Sequence, residues 1–308
     1  MESEEEQAQQ QVMQQARKRQ LQTQVRTMGP MDKSMGPTVG SSMGTPYDDI
    51  PITEPNDYGL FTSQALAQPD VASFQDACRA GSLSAVKSII TSKSRTPSFL
   101  HQGLIVDLGA GNVNAARCLL KAGAPITRQT PTRILLAPVP QKIPLFELLI
   151  QHGWNTNTPG FYGAVLLPKI VTDDALLDWF LAHGADPNLG EQSYYQDRNG
   201  APDPKSCAAL ERAVAYGTAE TVQKLLSAGA QMGNGAQLYF AAGVYAPGSN
   251  PHFGLVTPSR ELDIGRIPVM ALLVENGADV NQKYDSRHTN PQYPIVHAAM
   301  AGAVERVK

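Results

Sequence analysis

The chain has 308 residues, of which 42% are hydrophobic and 17% charged, so it is long and apolar enough to build a sizeable core. Residues 1–69 carry five Lys/Arg and nine Asp/Glu (5 − 9 = −4), and the remainder carries 20 Lys/Arg and 19 Asp/Glu (20 − 19 = +1). Because the larger part is nearly neutral, it offers no overall attraction for phosphate backbones or anionic lipid. We therefore expect neither nucleic-acid binding nor membrane-surface binding.

The cysteines and the hydrophobic runs indicate the cellular compartment. Cys78, Cys118 and Cys207 form no CxxC pair and are too few for a disulfide framework, which favours a reducing compartment. The longest apolar run, within 268–274, is far shorter than a membrane span, and the acidic, Gln-rich start is unlike a signal peptide. The sequence therefore predicts a soluble intracellular protein, located in the cytoplasm, the nucleus or both.

The segment 1–69 differs in composition from the rest of the chain. A Gln/Glu-rich stretch without aromatic residues is followed by Met-Gly-Pro at 28–30 and again at 35–37. Such a segment cannot bury enough apolar surface to offset the entropy lost on ordering. We expect residues 1–69 to form a disordered arm and the folded domain to span residues 70–308.

From residue 74 onward, one pattern recurs along the chain. The stretch "LLDWFLAHGADPN" at 176–188 has an apolar helical face that ends at a glycine, and a second helix precedes it. The corresponding glycines are Gly123, Gly153, Gly184, Gly229 and Gly277. The intervals between consecutive glycines are nearly equal from 123 to 153 and from 153 to 184, and they are longer from 184 to 229 and from 229 to 277. Regular spacing on this scale predicts an array of helical hairpins whose units bury their apolar faces against each other.

The recurring unit resembles the ankyrin repeat. The Gly-Ala-Asp-x-Asn tails at 184–188 and 277–281 match the family pattern best, and the resemblance covers 74–308 in six units plus a partial seventh. It implies an all-α solenoid of stacked helix-turn-helix units. No unit has Thr-Pro-Leu-His intact, and since the family uses that His and Thr to tie neighbouring turns, we expect less rigid loops here.

The two long intervals, from Gly184 to Gly229 and from Gly229 to Gly277, both exceed the standard unit of about 33 residues. The extra residues predict one insertion at 189–206, between two units, and another at 246–263, between the helices of one unit. Exposed aromatic side chains beside Arg are common interface anchors. The predicted partner-binding residues are accordingly Tyr194, Tyr195, Asp197, Arg198, His252 and Phe253. The alternative, that both insertions are surface loops without a partner, remains open from the sequence.

One stretch favours a different class of protein. Residues 103–120 resemble the first motif of S-adenosylmethionine-dependent methyltransferases, with an apolar strand, Asp107, and then Gly109 and Gly111 before a helix. Val113 stands in place of the third glycine, and no acid follows Asp107 before Glu147. The repeat interpretation instead places Gly111 in a turn between helices and Asp107 at a buried position, where the carboxylate needs a donor.

No other catalytic, cofactor or metal pattern is present in the sequence. His152 and His183 each precede a capping glycine, where a histidine favours the negative helix end, so we interpret them as structural. We expect no catalytic residue, no cofactor and no metal ligand. The main hypothesis is a non-catalytic scaffold that binds partner proteins through its concave face and insertions. The second is a methyltransferase-like enzyme.

A third hypothesis concerns the C-terminal end. The sequence "AGAVERVK" stops midway through the second helix of the seventh unit, so we expect either a fragment or an exposed apolar face. Such a face predicts self-association. The sequence does not identify the partner protein, because arrays of this kind bind unrelated ligands.

Overall fold

The computed structural model describes Ile50 and residues 69–308, apart from 193–196, 250, 252–253 and 285–291. The predicted disordered arm therefore lies outside the described residues except for Ile50 and Pro69, and the boundary at 69/70 remains a prediction. Within the described residues the fold is all-α, and an isolated β-bridge pairs Gly190 with Asp203.

The helices form seven consecutive pairs, which we number as units 1 to 7 in chain order. Each unit has a first helix, a short turn and a second helix, and the second insertion separates the two helices of unit 6. The pairs are α1 (Pro69–Arg79) with α2 (Leu83–Thr91), α3 (Pro97–Ala110) with α4 (Val113–Lys121), the 3-10 helix η1 (Thr130–Leu136) with α5 (Val139–Gln151), α6 (Leu167–Ile170) with α7 (Asp174–Ala182), α8 (Ala208–Tyr216) with α9 (Ala219–Ser227), α10 (Gln237–Ala242) with α11 (Arg260–Glu275), and α12 (Pro294–Met300) with α13 (Val304–Val307). Two further 3-10 turns, Phe161–Gly163 and Met232–Asn234, lie in the loops between units. The predicted array of stacked hairpins is confirmed.

Local side-chain bonds explain where several helices begin. The Thr96 hydroxyl accepts a hydrogen bond from the Phe99 N–H at the start of α3. The Asp173 carboxylate caps α7 by accepting from the Leu176 N–H at 3.2 Å. Thr218 and Thr221 form a reciprocal capping box at the start of α9. These bonds satisfy donors that the first helical turn leaves unpaired.

The recurrent glycines end the second helices, as predicted. The five φ angles lie between 77° and 97°, in the left-handed region that side chains with a Cβ rarely adopt. A Cβ built on any of these five glycines would meet no atom within 4 Å, so backbone conformation rather than space requires glycine. His183 Nδ1 lies 2.7 Å from the Trp179 carbonyl oxygen, which places that histidine in its predicted capping role.

The core runs continuously from unit 1 to unit 6. Its buried side chains extend from Val71 in α1 to Leu273 in α11. An aromatic cluster joins units 3 and 4, where the Phe146 ring lies 5.5 Å from Trp154, 5.9 Å from Trp179 and 5.0 Å from Phe180. Aromatic pairs at these separations contribute beyond the area that they bury. Each unit thus depends on its neighbours for its apolar contacts.

Asparagines tie neighbouring loops together. The Asn157 side chain donates to the Gly184 carbonyl at 2.8 Å and accepts from the Asp186 N–H at 2.9 Å. One unit later, Asn188 repeats both bonds, donating to the Gly229 carbonyl at 3.0 Å and accepting from the Gln231 N–H at 2.9 Å. Both asparagines therefore supply inter-unit bonds in an array that lacks an intact Thr-Pro-Leu-His.

Units 6 and 7 are joined by a buried ion pair. Asp263 accepts from Arg306 Nε at 2.9 Å and also from the backbone N–H groups of Glu305 and Arg306. Burial raises the pKa of Asp263, but these hydrogen bonds outweigh it and hold the pKa below its usual value. The predicted extent of the second insertion is wrong for its last four residues, because 260–263 form the first turn of α11.

We predict that Asn157→Ala lowers the free energy of unfolding by about 1–3 kcal/mol, because it removes two bonds between units and leaves backbone groups of the next loop unpaired. The matched control is Asn276→Ala, since the Asn276 side chain bonds only the Leu272 carbonyl of its own helix and is exposed. Urea unfolding of the full chain measures both. Equal losses for the two variants would show that the inter-unit bonds add nothing.

Candidate protein-interaction surface

The first insertion forms a closed loop between α7 and α8. The Gly190 N–H donates to the Asp203 carbonyl at 3.1 Å, and the Asp203 N–H donates back at 2.9 Å. This pair of bonds brings the two ends of the insertion together, so that residues 191–202 form one loop. We call this segment the unit 4 loop.

The unit 4 loop is attached to the segment that precedes α6. The Tyr162 N–H donates to the Arg198 carbonyl at 2.7 Å, and the Gln192 N–H donates to the Tyr162 carbonyl at 2.9 Å. Tyr162 has φ 55° and ψ 28° and is the only non-glycine with positive φ among the described residues. A left-handed conformation at such a residue costs about 1 kcal/mol or more and persists only where the surroundings enforce it. Here it directs both backbone groups of Tyr162 to the loop.

The predicted anchor Arg198 packs on the protein itself. Its guanidinium carbon lies 4.1 Å above the centre of the buried Phe161 ring, a cation–π contact. Asp197 is exposed, and its carboxylate accepts from the Asn199 N–H at 3.0 Å, which shapes the turn at this end of the loop. Arg198 therefore holds the loop in place, and Asp197 is available at its surface.

The other four predicted site residues, Tyr194, Tyr195, His252 and Phe253, lie outside the described residues. The two insertions occur in different parts of the array, since the first lies beside unit 4 and the second lies within unit 6. In the second insertion, the Thr257 N–H donates to the Ser249 hydroxyl at 3.1 Å, and Leu255 is 64% exposed. The assignment of all six residues to partner binding remains a prediction.

A groove lies between the loop that joins units 2 and 3 and the loop that joins units 3 and 4, next to the unit 4 loop. Arg128 donates to the Gly160 carbonyl at 3.3 Å and to the Asn199 carbonyl at 3.2 Å, and thereby links the groove wall to that loop. The volume of the groove is about 370 Å³. Its lining consists of Ile126, Thr127, Arg128, His152, Gly153, Trp154, Thr158 and Pro159. We call it the loop groove.

Sequence reasoning missed the loop groove, although one signal for it was present. Trp154 follows a capping glycine at a position where the other units have Ala124, Ala185, Ala230 and Ala278. A tryptophan in place of a recurrent alanine changes the shape of the loop edge at this unit alone. Arg128 gave no such signal, because its role depends on carbonyl groups that lie far along the chain, at Pro159, Gly160 and Asn199.

Residues 103–120 do not have the strand, turn and helix that the methyltransferase interpretation requires. Residues 97–110 form helix α3, which passes through Gly109, and Gly111 ends it with φ 84° before α4 begins. The strand that the methyltransferase interpretation requires is therefore absent, and no strand-to-helix turn is available for a cofactor here. Gly103 has a packing role, since a Cβ on it would clash with the Phe74 ring.

Asp107 is fully buried and finds a donor, as its position in the repeat requires. Its Oδ1 accepts from Asn112 Nδ2 at 3.3 Å, and the same amide donates to the Cys78 carbonyl at 2.6 Å. Burial raises the pKa of Asp107 to about 7, although Asn112 and the Cys78 thiol lower it in part. This arrangement explains how the array accommodates a carboxyl group where the ankyrin pattern has alanine.

The described residues contain no group of three or more His, Cys, Asp or Glu side chains placed to hold a metal ion. Cys78, Cys118 and Cys207 are all free thiols, with Cys78 buried. Among the described helices, none combines the length and apolar character needed to cross a membrane.

Comparison with known proteins gives a likeness at the level of fold. No family model and no curated protein matches the sequence. Among solved structures, the human ASB11 ankyrin repeat domain is 18% identical over 76% of this chain and 95% of its own, with a TM-score of 0.47. The Bdellovibrio bacteriovorus predatory endopeptidase Bd0816 in complex with the immunity protein Bd3460 is 17% identical over 55% of this chain and 90% of its own, with a TM-score of 0.38. The similar structures thus include an ankyrin repeat domain, and neither likeness identifies a function.

We predict that the contribution of Asp107 to stability falls as pH rises from about 4 to about 7, so that the wild-type protein loses stability relative to Asp107→Asn over this range. The folded pKa of about 7 lies above the ordinary value of 3.8, so between these values the folded state binds more protons than the unfolded state. The difference between the two proteins should change by about 1.4 kcal/mol per pH unit in that window.

Urea unfolding at pH 5 and pH 8 measures this dependence, with Asp174→Asn, at an exposed position in α7, as the control. Parallel curves for the wild-type protein and Asp107→Asn would contradict the assignment of this pH dependence to Asp107.

Proposed function

We propose that the protein is a non-catalytic, intracellular scaffold that binds a partner protein through the unit 4 loop, the adjacent loop groove and the neighbouring concave face. The attachment of the loop is the observation that carries this proposal. Tyr162 and Arg198 fix its base by two backbone hydrogen bonds and one cation–π contact. Tyr194 and Tyr195 belong to the same loop, so a partner would contact them on a loop whose base is already held in place.

A loop that is held before binding loses less conformational entropy when a partner docks, so more of the contact energy appears as affinity. Tyrosine contributes a large amphipathic contact area with few rotatable bonds, and tyrosines are enriched among residues that dominate binding energy. The strained backbone of Tyr162 supports a functional interpretation, because sparsely populated conformations concentrate at binding and catalytic sites.

The chemistry of the loop groove supports a protein partner. Its lining combines the Trp154 and Ile126 side chains with the cation Arg128 and the hydroxyl of Thr158, a mixture of apolar and polar groups. The nearly neutral charge of residues 70–308 disfavours a nucleic acid as the main ligand, since binding to phosphate backbones depends on a strong positive field. The proposed location in the cytoplasm or nucleus rests on the absence of a disulfide framework from the sequence.

We predict that Tyr194→Ala combined with Tyr195→Ala weakens partner binding at least tenfold, because hot-spot aromatics typically contribute about 2 kcal/mol or more. A partner is first captured with the full chain as bait and identified, and its Kd is then measured by isothermal titration. Arg198 is left unchanged, because its substitution would also release the loop from Phe161.

The control is Tyr216→Ala, which removes a tyrosine that is 68% exposed at the end of α8. The double variant should melt within about 1 °C of wild type, since its substitutions fall in an insertion rather than in a packed helix. An unchanged Kd for the double variant, or an equal loss for the Tyr216 variant, would refute the role of the unit 4 loop.

A second candidate function is self-association through the last unit. Apolar side chains are exposed on α12 and α13, with Ile295 57% and Val304 63% exposed. Exposed apolar groups on neighbouring helices favour association with a complementary surface.

We predict that Ile295→Glu with Val304→Glu abolishes any concentration-dependent increase in sedimentation coefficient, whereas Val139→Glu, at a 64% exposed position in unit 3, does not. A wild-type protein that sediments as a monomer at all concentrations refutes this candidate.

A further inference from the structure

The junction between units 6 and 7 buries smaller side chains than the junction between units 3 and 4. At the earlier junction, the Phe146 ring packs on Trp179 and Phe180. At the later one, the buried apolar cluster consists of four alanines, which are Ala242 from unit 6 and Ala298, Ala301 and Ala303 from unit 7. An alanine buries far less apolar surface than a phenylalanine, so the hydrophobic effect holds unit 7 more weakly than it holds unit 4.

The larger apolar side chains of unit 7 are exposed. Those on α12 and α13 are between 39% and 63% exposed, namely Ile295, Val296, Met300, Val304 and Val307. They therefore add little to the apolar contact with unit 6. The attachment of unit 7 depends more on polar contacts than the attachment of unit 4 does.

Arg306 of α13 attaches unit 7 through buried polar contacts. Its guanidinium donates to the carbonyls of Ala242 and Val244, at the end of α10, at 2.7 Å and 2.9 Å, and it pairs with Asp263 of α11. Burial raises the pKa of Asp263, but the hydrogen bonds outweigh it and hold the pKa below 3.8. The carboxylate thus stays ionised at neutral and mildly acidic pH, and the ion pair does not change in that range.

His297 of α12 lies at the same junction, against the end of α10. Its ring centre is 4.4 Å from that of Tyr239 and 5.8 Å from that of Tyr245. The ring lies so close to Gly243 that a Cβ at that position would overlap it. His297 Nδ1 is buried and has no hydrogen-bond partner among the described residues. A neutral ring tolerates this position, whereas a protonated ring would bury an N–H donor without an acceptor.

The groups around His297 also disfavour a positive charge on it. From unit 6 it faces Tyr239 and Tyr245, which are neutral because burial raises the pKa of each above 10. From α13 it faces the cation Arg306, whose carboxylate partner is Asp263. Burial lowers the pKa of His297, a hydrogen bond to the Tyr239 backbone raises it in part, and the charge of Arg306 lowers it further. Protonation of this ring therefore opposes the docking of unit 7.

We propose that the protonation state of His297 controls the docking of unit 7 on unit 6, with unit 7 docked while the ring is neutral and released when the ring gains a proton. Release shortens the docked array by one unit. It also uncovers the side of the Tyr239 ring that faces His297, and that tyrosine is only 8% exposed in the docked state. Neither the docking nor its dependence on pH rests on the proposed function.

The direction of the effect follows from proton linkage. In released unit 7, His297 has its ordinary pKa of 6.5, which is higher than its pKa in the docked state. The released state therefore binds more protons at acidic pH, so docking is strongest well above pH 6.5 and weakens as the pH falls through that value. A single histidine changes the ratio of released to docked protein by at most about tenfold per pH unit.

Hydrogen exchange of the full chain, followed by mass spectrometry, measures the docking of unit 7. Peptides from 294–307 report on unit 7, and peptides from 208–227 report on unit 5 as the reference. After correction for the intrinsic pH dependence of amide exchange, lowering the pH from 7.5 to 5.5 should decrease the protection of 294–307 about three- to tenfold relative to 208–227. Equal changes in both sets of peptides, or no change in 294–307, would overturn the proposal.

A pair of variants assigns the effect to one ring. His297→Gln keeps a polar side chain that cannot be protonated, so it should remove the selective loss of protection at pH 5.5. The control is His183→Gln, because His183 is exposed at the end of α7 and stacks on Trp179, away from this junction. The control should lose protection as the wild-type protein does. A selective loss that persists in His297→Gln would contradict the role of this histidine.

An NMR titration of the wild-type chain needs no substitution. The ring carbons of His297 should titrate below pH 6.5, and the amide resonances of 294–307 should change over the same pH range. A His297 ring that titrates at or above pH 6.5 would overturn the proposal, even if His297→Gln does not fold. Since no partner protein is involved, failure of this test is distinguishable from failure of the proposed function.

Discussion

Each helical hairpin of this protein buries its apolar face only against the hairpins beside it, and the remaining features of the structure depend on this constraint. A unit of two short helices has too little interior to be stable alone, so one core cluster runs from Val71 to Leu273 and a second, around Ala298, joins unit 6 to unit 7. The chain must reverse at the same place in every unit for the faces to meet. In units 2 to 6, left-handed glycines at the ends of the second helices provide these reversals.

The constraint also explains where the array carries its insertions. Residues that face a neighbouring unit are committed to packing, whereas the loops can lengthen without opening the core. The unit 4 loop is lengthened in this way and is then fixed by Tyr162 and Arg198. The proposed interaction surface therefore consists of a lengthened loop, and the packed helices support it rigidly.

The sequence predicted the features that recur in phase and missed those that occur once. The glycines and the positions of both insertions follow from local patterns, and the structure agrees with them except at 260–263, which belong to α11. Arg198 was predicted to bind a partner, which stays a prediction, and its stacking on Phe161 is a contact between distant parts of the chain that no local pattern encodes. The burial of every residue from Ser98 to Ile105 in α3 was equally unpredictable, because consecutive buried positions leave no amphipathic period to detect. Asp107 lies between these cases. The sequence indicated that its buried carboxylate needs a hydrogen-bond donor, but it did not indicate that Asn112 is that donor.

The aromatic cluster between units 3 and 4 has a practical consequence for optical spectroscopy. The chain has two tryptophans, and both belong to this cluster, with Trp154 5% and Trp179 9% exposed. Trp154 also lines the loop groove. The intrinsic tryptophan fluorescence of the whole molecule therefore originates at one junction, so that its emission reports on the middle of the solenoid and on occupancy of the groove, and is silent about fraying at either end.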